Sequence, residues 1–240
     1  MIEIKVSNTA IESRETKNLD FTKDTHDVLE SRTTNGFTNP EGTVQNIGIL
    51  KNASTYFDTE AQKQGWTFQS IPYKQQITRF VILRDPYERY VSGLAEDLDR
   101  YLTLNNDKQA FIKKIYTDNL AFDFFDFLFD LEVFELGDHT HLQTKILQFT
   151  IKEIGVENMT FIKLTDTLGD SINQFLHGQN CKTNFSNIKM HEKSLANQSF
   201  LPLAQYYFAH IKNKKRKENL LHYLWPDYKF MNSINFFNKY

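Results

Sequence analysis

Arg79 to Leu94 reads RFVILRDPYERYVSGL. The apolar run Phe80, Val81, Ile82, Leu83 predicts a short buried strand that ends on Arg84 and turns at once into a helix. Asp85 is placed to be the N-cap, Pro86 fits the first helical position, and Glu88 stands three residues after the cap. That is a capping-box arrangement, with proline where its missing N–H costs nothing. Tyr87, Tyr90, Val91, Leu94 and Leu98 then recur at helical spacing and give the helix an apolar side. Arg84 is left at the strand's carboxyl end beside a helix N-terminus, and Ser92 follows two turns later with a hydroxyl. A planar bidentate cation, a hydroxyl and free helix N–H groups together suit a phosphate. On Arg-Asp-Pro alone, a surface ion pair of Arg84 with Asp85 and a solvated Ser92 is the better reading, because the tripeptide is common; the whole run reads as an anion site.

Upstream, Val44 to Leu50 (VQNIGIL) predicts the first buried strand, followed by Lys51-Asn52-Ala53-Ser54-Thr55 and a helix to about Gln64, with Gly65 as its stop. A strand, a small-residue loop with one lysine, and hydroxyls opening a helix have the layout of a phosphate cradle. Backbone N–H groups point at oxygens, Lys51 brings a point charge, and Ser54 and Thr55 add donors. A capped helix with a surface lysine has the same sequence. The run holds neither Gly-x-x-x-x-Gly-Lys nor Gly-x-Gly-x-x-Gly. Thr67–Ile71, Ile77–Leu83 and Asn158–Leu164 read as further strands, the last followed by a helix with Leu168, Ile172, Phe175 and Leu176 inward. Strands separated by helices imply parallel pairing through right-handed crossovers, with ligands beyond the strands' carboxyl ends, where Lys51 and Arg84 both fall.

Composition bounds the class. The chain has 240 residues, 40% hydrophobic and 24% charged, an ordinary globular make-up with room for one large α/β domain. A net charge of -2 gives no overall reason to expect nucleic acid or an anionic membrane as partner, so any anion site is local. The single Cys181 forms no internal disulfide. No apolar run reaches the ~20 residues of a membrane span, and the N-terminus has no signal-peptide core. A soluble, cytoplasmic protein is expected. Residues 1–43 are polar, with Ile2, Ile4 and Val6 alternating as an edge strand and turn signals at Asn35-Gly36 and Asn39-Pro40; they are expected to form a lid or a partly disordered segment.

Strand, Arg84-Asp85-Pro86, Arg89 and Ser92 in this spacing resemble the 3′-phosphate-binding segment of the sulfotransferases, especially the carbohydrate and membrane-associated branch. The loop at Lys51 resembles that family's 5′-phosphosulfate loop and precedes the Arg84 segment in the family's order. His139 and Gln143 match a His, three residues, Gln pattern that borders the family's acceptor pocket, without the aromatic after His and the Pro before Gln. Lys193 and Ser194 stand where the family closes over the nucleotide, and LHYLWPDYKF, with Tyr223, Asp227 and Tyr228, resembles its terminal packing helix. The resemblance spans roughly residues 44 to 236.

It implies a P-loop-like, three-layer α/β/α domain over residues 44–240, with a central parallel sheet of about four or five strands. It also implies a donor, 3′-phosphoadenosine 5′-phosphosulfate (PAPS, leaving as PAP), and in-line transfer of its sulfuryl group to an acceptor hydroxyl, with a glycan as the expected acceptor. Lys51, Asn52, Ala53, Ser54, Thr55, Arg84, Ser92, Lys193 and Ser194 would hold the nucleotide, and Lys51 would offset charge on the leaving phosphate. His139 is the first choice for the base, His141 the second, with His191 and Glu96 behind. No metal is called for: His139, His141, His177, Cys181 and His191 match no standard ligand spacing. Two alternatives stay open: a P-loop-like kinase or phosphotransferase, and a nucleotide-binding relative without turnover. Residues 108–136 are expected to be helical, Phe124, Phe125, Leu128 and Leu131 marking a core face, and Lys212–Lys217 (KNKKRK) a solvated helix face.

Overall fold

A computed structural model describes residues 33–104, 125, 126, 129, 134–187, 200–211 and 213–237. Five strands form one sheet: β1 (Thr33–Thr38), β2 (Val44–Ile47), β3 (Thr67–Pro72), β4 (Thr78–Leu83) and β5 (Met159–Lys163), in the order β3-β1-β2-β4-β5. Six helices accompany them among the described residues: α1 (Ser54–Lys63), α2 (Pro86–Leu104), α3 (Gln143–Ile154), α4 (Leu168–Gly178), α5 (Leu201–His210) and α6 (Lys214–Ser233).

The class is α/β, and the sheet is mixed where a parallel one was expected. β2, β4 and β5 are parallel neighbours, Ile47 standing opposite Val81 and Leu83 opposite Lys163. β1 runs antiparallel to both β2 and β3. The difference lies in Thr33–Thr38, which the polar composition of residues 1–43 assigned to a lid. Thr34, Gly36, Phe37 and Thr38 are buried there; the Thr34 hydroxyl donates to the Gln45 side chain, while Thr38 Oγ1 has no hydrogen-bond partner. Asn35-Gly36 is mid-strand and no turn: a Cβ at position 36 would lie 1.9 Å from the Asn46 carbonyl oxygen, so glycine is required by the neighbouring strand. Asn39-Pro40 does turn the chain, the Asn39 Oδ1 accepting the Thr43 and Val44 amides at 2.8 Å.

Alternation along β4 sorts the core into two faces. Phe80 and Ile82 pack with Phe57, Trp66, Leu168, Ile172 and Leu176, burying α1 and α4 on one side. Val81 and Leu83 pack with Leu147, Met159 and Met231, burying α3 and the end of α6 on the other. Aromatic edges meet faces in the first layer: Phe57 lies 5.6 Å from both Trp66 and Phe80. A third cluster joins Tyr90, Leu94 and Leu98 of α2 to Tyr207 and Phe208 of α5 and Leu220 and Leu224 of α6. The alternating Ile2, Ile4 and Val6, and most of the 108–136 stretch, lie outside the described residues. Among the described residues no helix is long and apolar enough to cross a membrane.

Candidate functional site

The β4–α2 junction forms as the sequence predicts. α2 starts at Pro86, and Asp85 Oδ1 accepts the amides of Tyr87 at 3.0 Å and Glu88 at 3.1 Å. Glu88 turns back to Arg84, its Oε2 lying 3.6 Å from Nε, an ion-pair distance too long for a hydrogen bond. Arg84 Nε is buried without a hydrogen-bond partner. Burial lowers the Arg84 pKa from its ordinary value, against the opposing pull of Glu88 and Asp85.

The β2–α1 loop carries two left-handed residues that are not glycine, Lys51 at φ 66° and Ala53 at φ 60°. Between them Asn52 points inward, 1% exposed. Its Nδ2 donates to the Ile82 carbonyl at 2.8 Å and to Gln143 Oε1 at 2.5 Å. Gln143, wholly buried, in turn accepts the Arg84 amide at 3.2 Å and donates to the Arg84 carbonyl at 2.9 Å. Two side chains therefore tie the Lys51 loop and the Arg84 junction together at the carboxyl edge of β2 and β4. The Asn52 side-chain amide nitrogen is thus taken up within the protein, while its Oδ1 is buried and unpartnered. Ala53 offers α1 no side-chain cap, and no acidic residue stands in that helix's first turn, where Ser54 is partly buried and Thr55 exposed.

Lys51 reaches across to α2 and pairs with Glu96, Nζ to Oε2 3.0 Å. Glu88 and Glu96, which hold the two cations, are eight residues apart on α2, about 12 Å of helix rise. Ser92, 5% exposed, precedes Glu96 by one turn, and so stands between the two ion pairs along the helix.

One stripe of α2 organises the rest. Arg89, Gly93 and Asp97 recur at i, i+4 and i+8 and so share a face. Arg89 is buried, donating from Nε to the Leu50 carbonyl at 3.1 Å and from Nη1 to the His141 carbonyl. It joins the segments before Lys51 and after His139 to one guanidinium, and burial pushes its pKa down to about 10. Gly93 seats the backbone of the 137–142 loop: a Cβ there would lie 2.1 Å from the His139 carbonyl oxygen. Asp97 receives the His139 ring, Oδ1 to Nδ1 2.7 Å, with the two side chains 9% and 6% exposed.

Of the two candidate bases, His139 is thus turned inward and held. His141 is half-buried at the surface, 3.9 Å from both Glu135 and Asp138, and contributes its carbonyl to Arg89. Lys193, Ser194 and His191 lie outside the described residues. Sequence reasoning passed over Asp97 and the inward role of Asn52. Asp97 sits mid-helix in Glu-Asp-Leu-Asp, where nothing local separates it from a solvated acid.

A groove of about 600 Å³ lies elsewhere, along β5, walled by Phe175 of α4 and by Ile234 and Phe236 after α6. None of the candidate nucleotide-binding or catalytic residues among those described lines it. Among the described residues no group of three or more His, Cys, Asp or Glu is placed to hold a metal. Comparison of the chain with protein-family models, with curated proteins and with solved structures returns no match in any of the three.

Proposed function

We propose that this chain is a sulfotransferase with a P-loop-like α/β domain, moving the sulfuryl group of PAPS to the hydroxyl of a carbohydrate acceptor. The observation that supports the reading is the Asn52–Gln143 hydrogen bond, which fastens the Lys51 loop beside the Arg84 junction. His139, four residues before Gln143, belongs to the same assembly.

The roles follow from chemistry. The uncapped start of α1, with Ser54 and Thr55, would bind the 5′-phosphosulfate through backbone N–H groups and hydroxyls. Arg84, whose Nε has no hydrogen bond, and Ser92 would bind the 3′-phosphate. Lys51 and Arg84 each hold a carboxylate in the free protein, so phosphate oxygens would replace Glu96 and Glu88. The acceptor oxygen attacks sulfur and the S–O bond to the 5′-phosphate breaks. PAP leaves with that bond's electron pair, Lys51 offsetting its charge, and the acceptor proton passes to His139. The cytoplasm is the expected compartment, and Cys181, a buried free thiol, suits it.

The test is transfer of labelled sulfate from PAPS to a panel of glycans by the wild type, Lys51→Ala and His139→Ala. Transfer by the wild type, reduced at least a hundredfold in each variant, is expected. Calorimetric titration with adenosine 3′,5′-bisphosphate and with ATP accompanies it. Tighter binding of the bisphosphate, lost in Arg84→Ala, is expected. Preference for ATP would overturn the reading in favour of a phosphotransferase; bisphosphate binding without transfer to any acceptor would leave a binding protein.

A further inference from the structure

We propose that Asp97 is the positioning residue of His139, fixing the imidazole as the Nδ1–H tautomer so that Nε2 is the basic nitrogen. The inference rests on the sulfuryl-transfer reading for its role in turnover, and on geometry alone for the tautomer. An ionised carboxylate has no proton to give, so at 2.7 Å the hydrogen between Asp97 Oδ1 and His139 Nδ1 belongs to the ring. The lone pair is then left on Nε2, which has no hydrogen-bond partner among the described residues.

The carboxylate is itself held in place. Its Oδ2 lies 3.2 Å from Thr140 Oγ1, whose one hydrogen is shared between that oxygen and the Gly137 carbonyl at 2.8 Å, and which accepts the amides of Leu136 and Gly137. Thr140 is 1% exposed, so the tight turn before the histidine and the acid that orients it are locked by one side chain. Gly93, one turn before Asp97, fixes the histidine's backbone on the same helix face. Backbone seat and ring partner therefore come from a single rigid element, which leaves the imidazole little freedom to turn. When Nε2 takes the acceptor proton, the ring becomes an imidazolium next to a carboxylate that water barely reaches, where opposite charges attract more strongly than in bulk solvent.

Nitrogen-15 spectra of the histidine side chains in the free protein, assigned by His139→Gln, test the tautomer without any substrate. The wild type should show His139 protonated at Nδ1, and Asp97→Asn and Asp97→Ala should shift it toward the Nε2–H form. A wild-type ring protonated at Nε2, or spectra indifferent to both substitutions, would overturn the proposal. In transfer assays, kcat of Asp97→Asn should fall at least a hundredfold while the KM for PAPS stays within about twofold. A fall in kcat matched by an equal rise in KM for PAPS would overturn the role in turnover. The expected spectra with no transfer by the wild type would uphold the tautomer assignment and overturn the sulfotransferase reading, so the two failures are distinguishable.

Discussion

The carboxylate of Asp227 closes the N-terminus of a helix far upstream: its Oδ2 accepts the Gln143 amide at 2.9 Å. Oδ1 accepts the Thr144 amide at 2.8 Å and the Thr144 hydroxyl at 2.7 Å. Leu142, the residue at the cap position of α3, has no side chain able to do this. Asp227 is 1% exposed, so water cannot take over. Asp227→Ala should therefore cost about 3 kcal/mol, from a lost cap and lost charge-assisted hydrogen bonds. Urea unfolding checks it; a loss under about 1 kcal/mol would mean the cap is dispensable.

Asn52→Ala removes the donor shared by Ile82 and Gln143. Buried acceptors left without it imply a stability loss of about 2 kcal/mol. Because Gln143 also grips the Arg84 backbone, affinity for adenosine 3′,5′-bisphosphate should fall in the same variant, though no ligand atom needs to touch Asn52. Thermal unfolding and calorimetry on one preparation measure both. Unchanged affinity in a folded variant would separate the two junctions functionally.

Gly93→Ala drives a methyl group into the His139 carbonyl oxygen. The clash is backbone against backbone, so no rotamer relieves it, and about 2–3 kcal/mol should be lost. Gly178→Ala, at the end of α4 with open space around it, is the matched control and should gain about 0.5 kcal/mol. Denaturation midpoints of the pair decide the point. Equal midpoints would show that the loop seat yields.

Alkaline pH should loosen the fold through its tyrosines. Burial raises Tyr56 and Tyr228 from 10.0 to about 12 and moves Tyr90 and Tyr223 up further. Their contribution is complete below pH 10, where both folded and unfolded chains keep the proton. Above it the unfolded chain ionises first, so stability drains away as pH rises through about 12. Arg79, Arg84 and Arg89 act in the opposite sense, since burial lowers each. Tyrosinate absorbance followed with circular dichroism should reveal a set that ionises only as helix signal is lost. Complete ionisation near pH 10 with the helices intact would contradict this.

Local signals were legible. Asp85, Pro86 and the apolar run before them specify strand, cap and helix within a few residues, and that junction forms as expected. Val44 to Thr55 likewise yields strand, loop and helix, with the helix ending before Gly65 at φ 78°. What was missed depends on partners distant in sequence. Thr33–Thr38 has a loop's composition, and becomes a strand because β2 and β3 flank it. Asp97, Asn52 and Asp227 are ordinary polar residues until folding sets a histidine ring, a strand carbonyl or a helix end beside them.

The kinked loop after β2 has a cost that its sequence does not relieve. Lys51 and Ala53 both hold a backbone shape in which a Cβ is unfavourable by roughly 1–2 kcal/mol. Glycine at either position would ease that tension. At 53 it would slacken the approach to α1, and at 51 it would also delete the amine that meets Glu96. Laboratory evolution for heat resistance should therefore drift toward glycine at these two sites, while evolution for turnover should keep the original side chains.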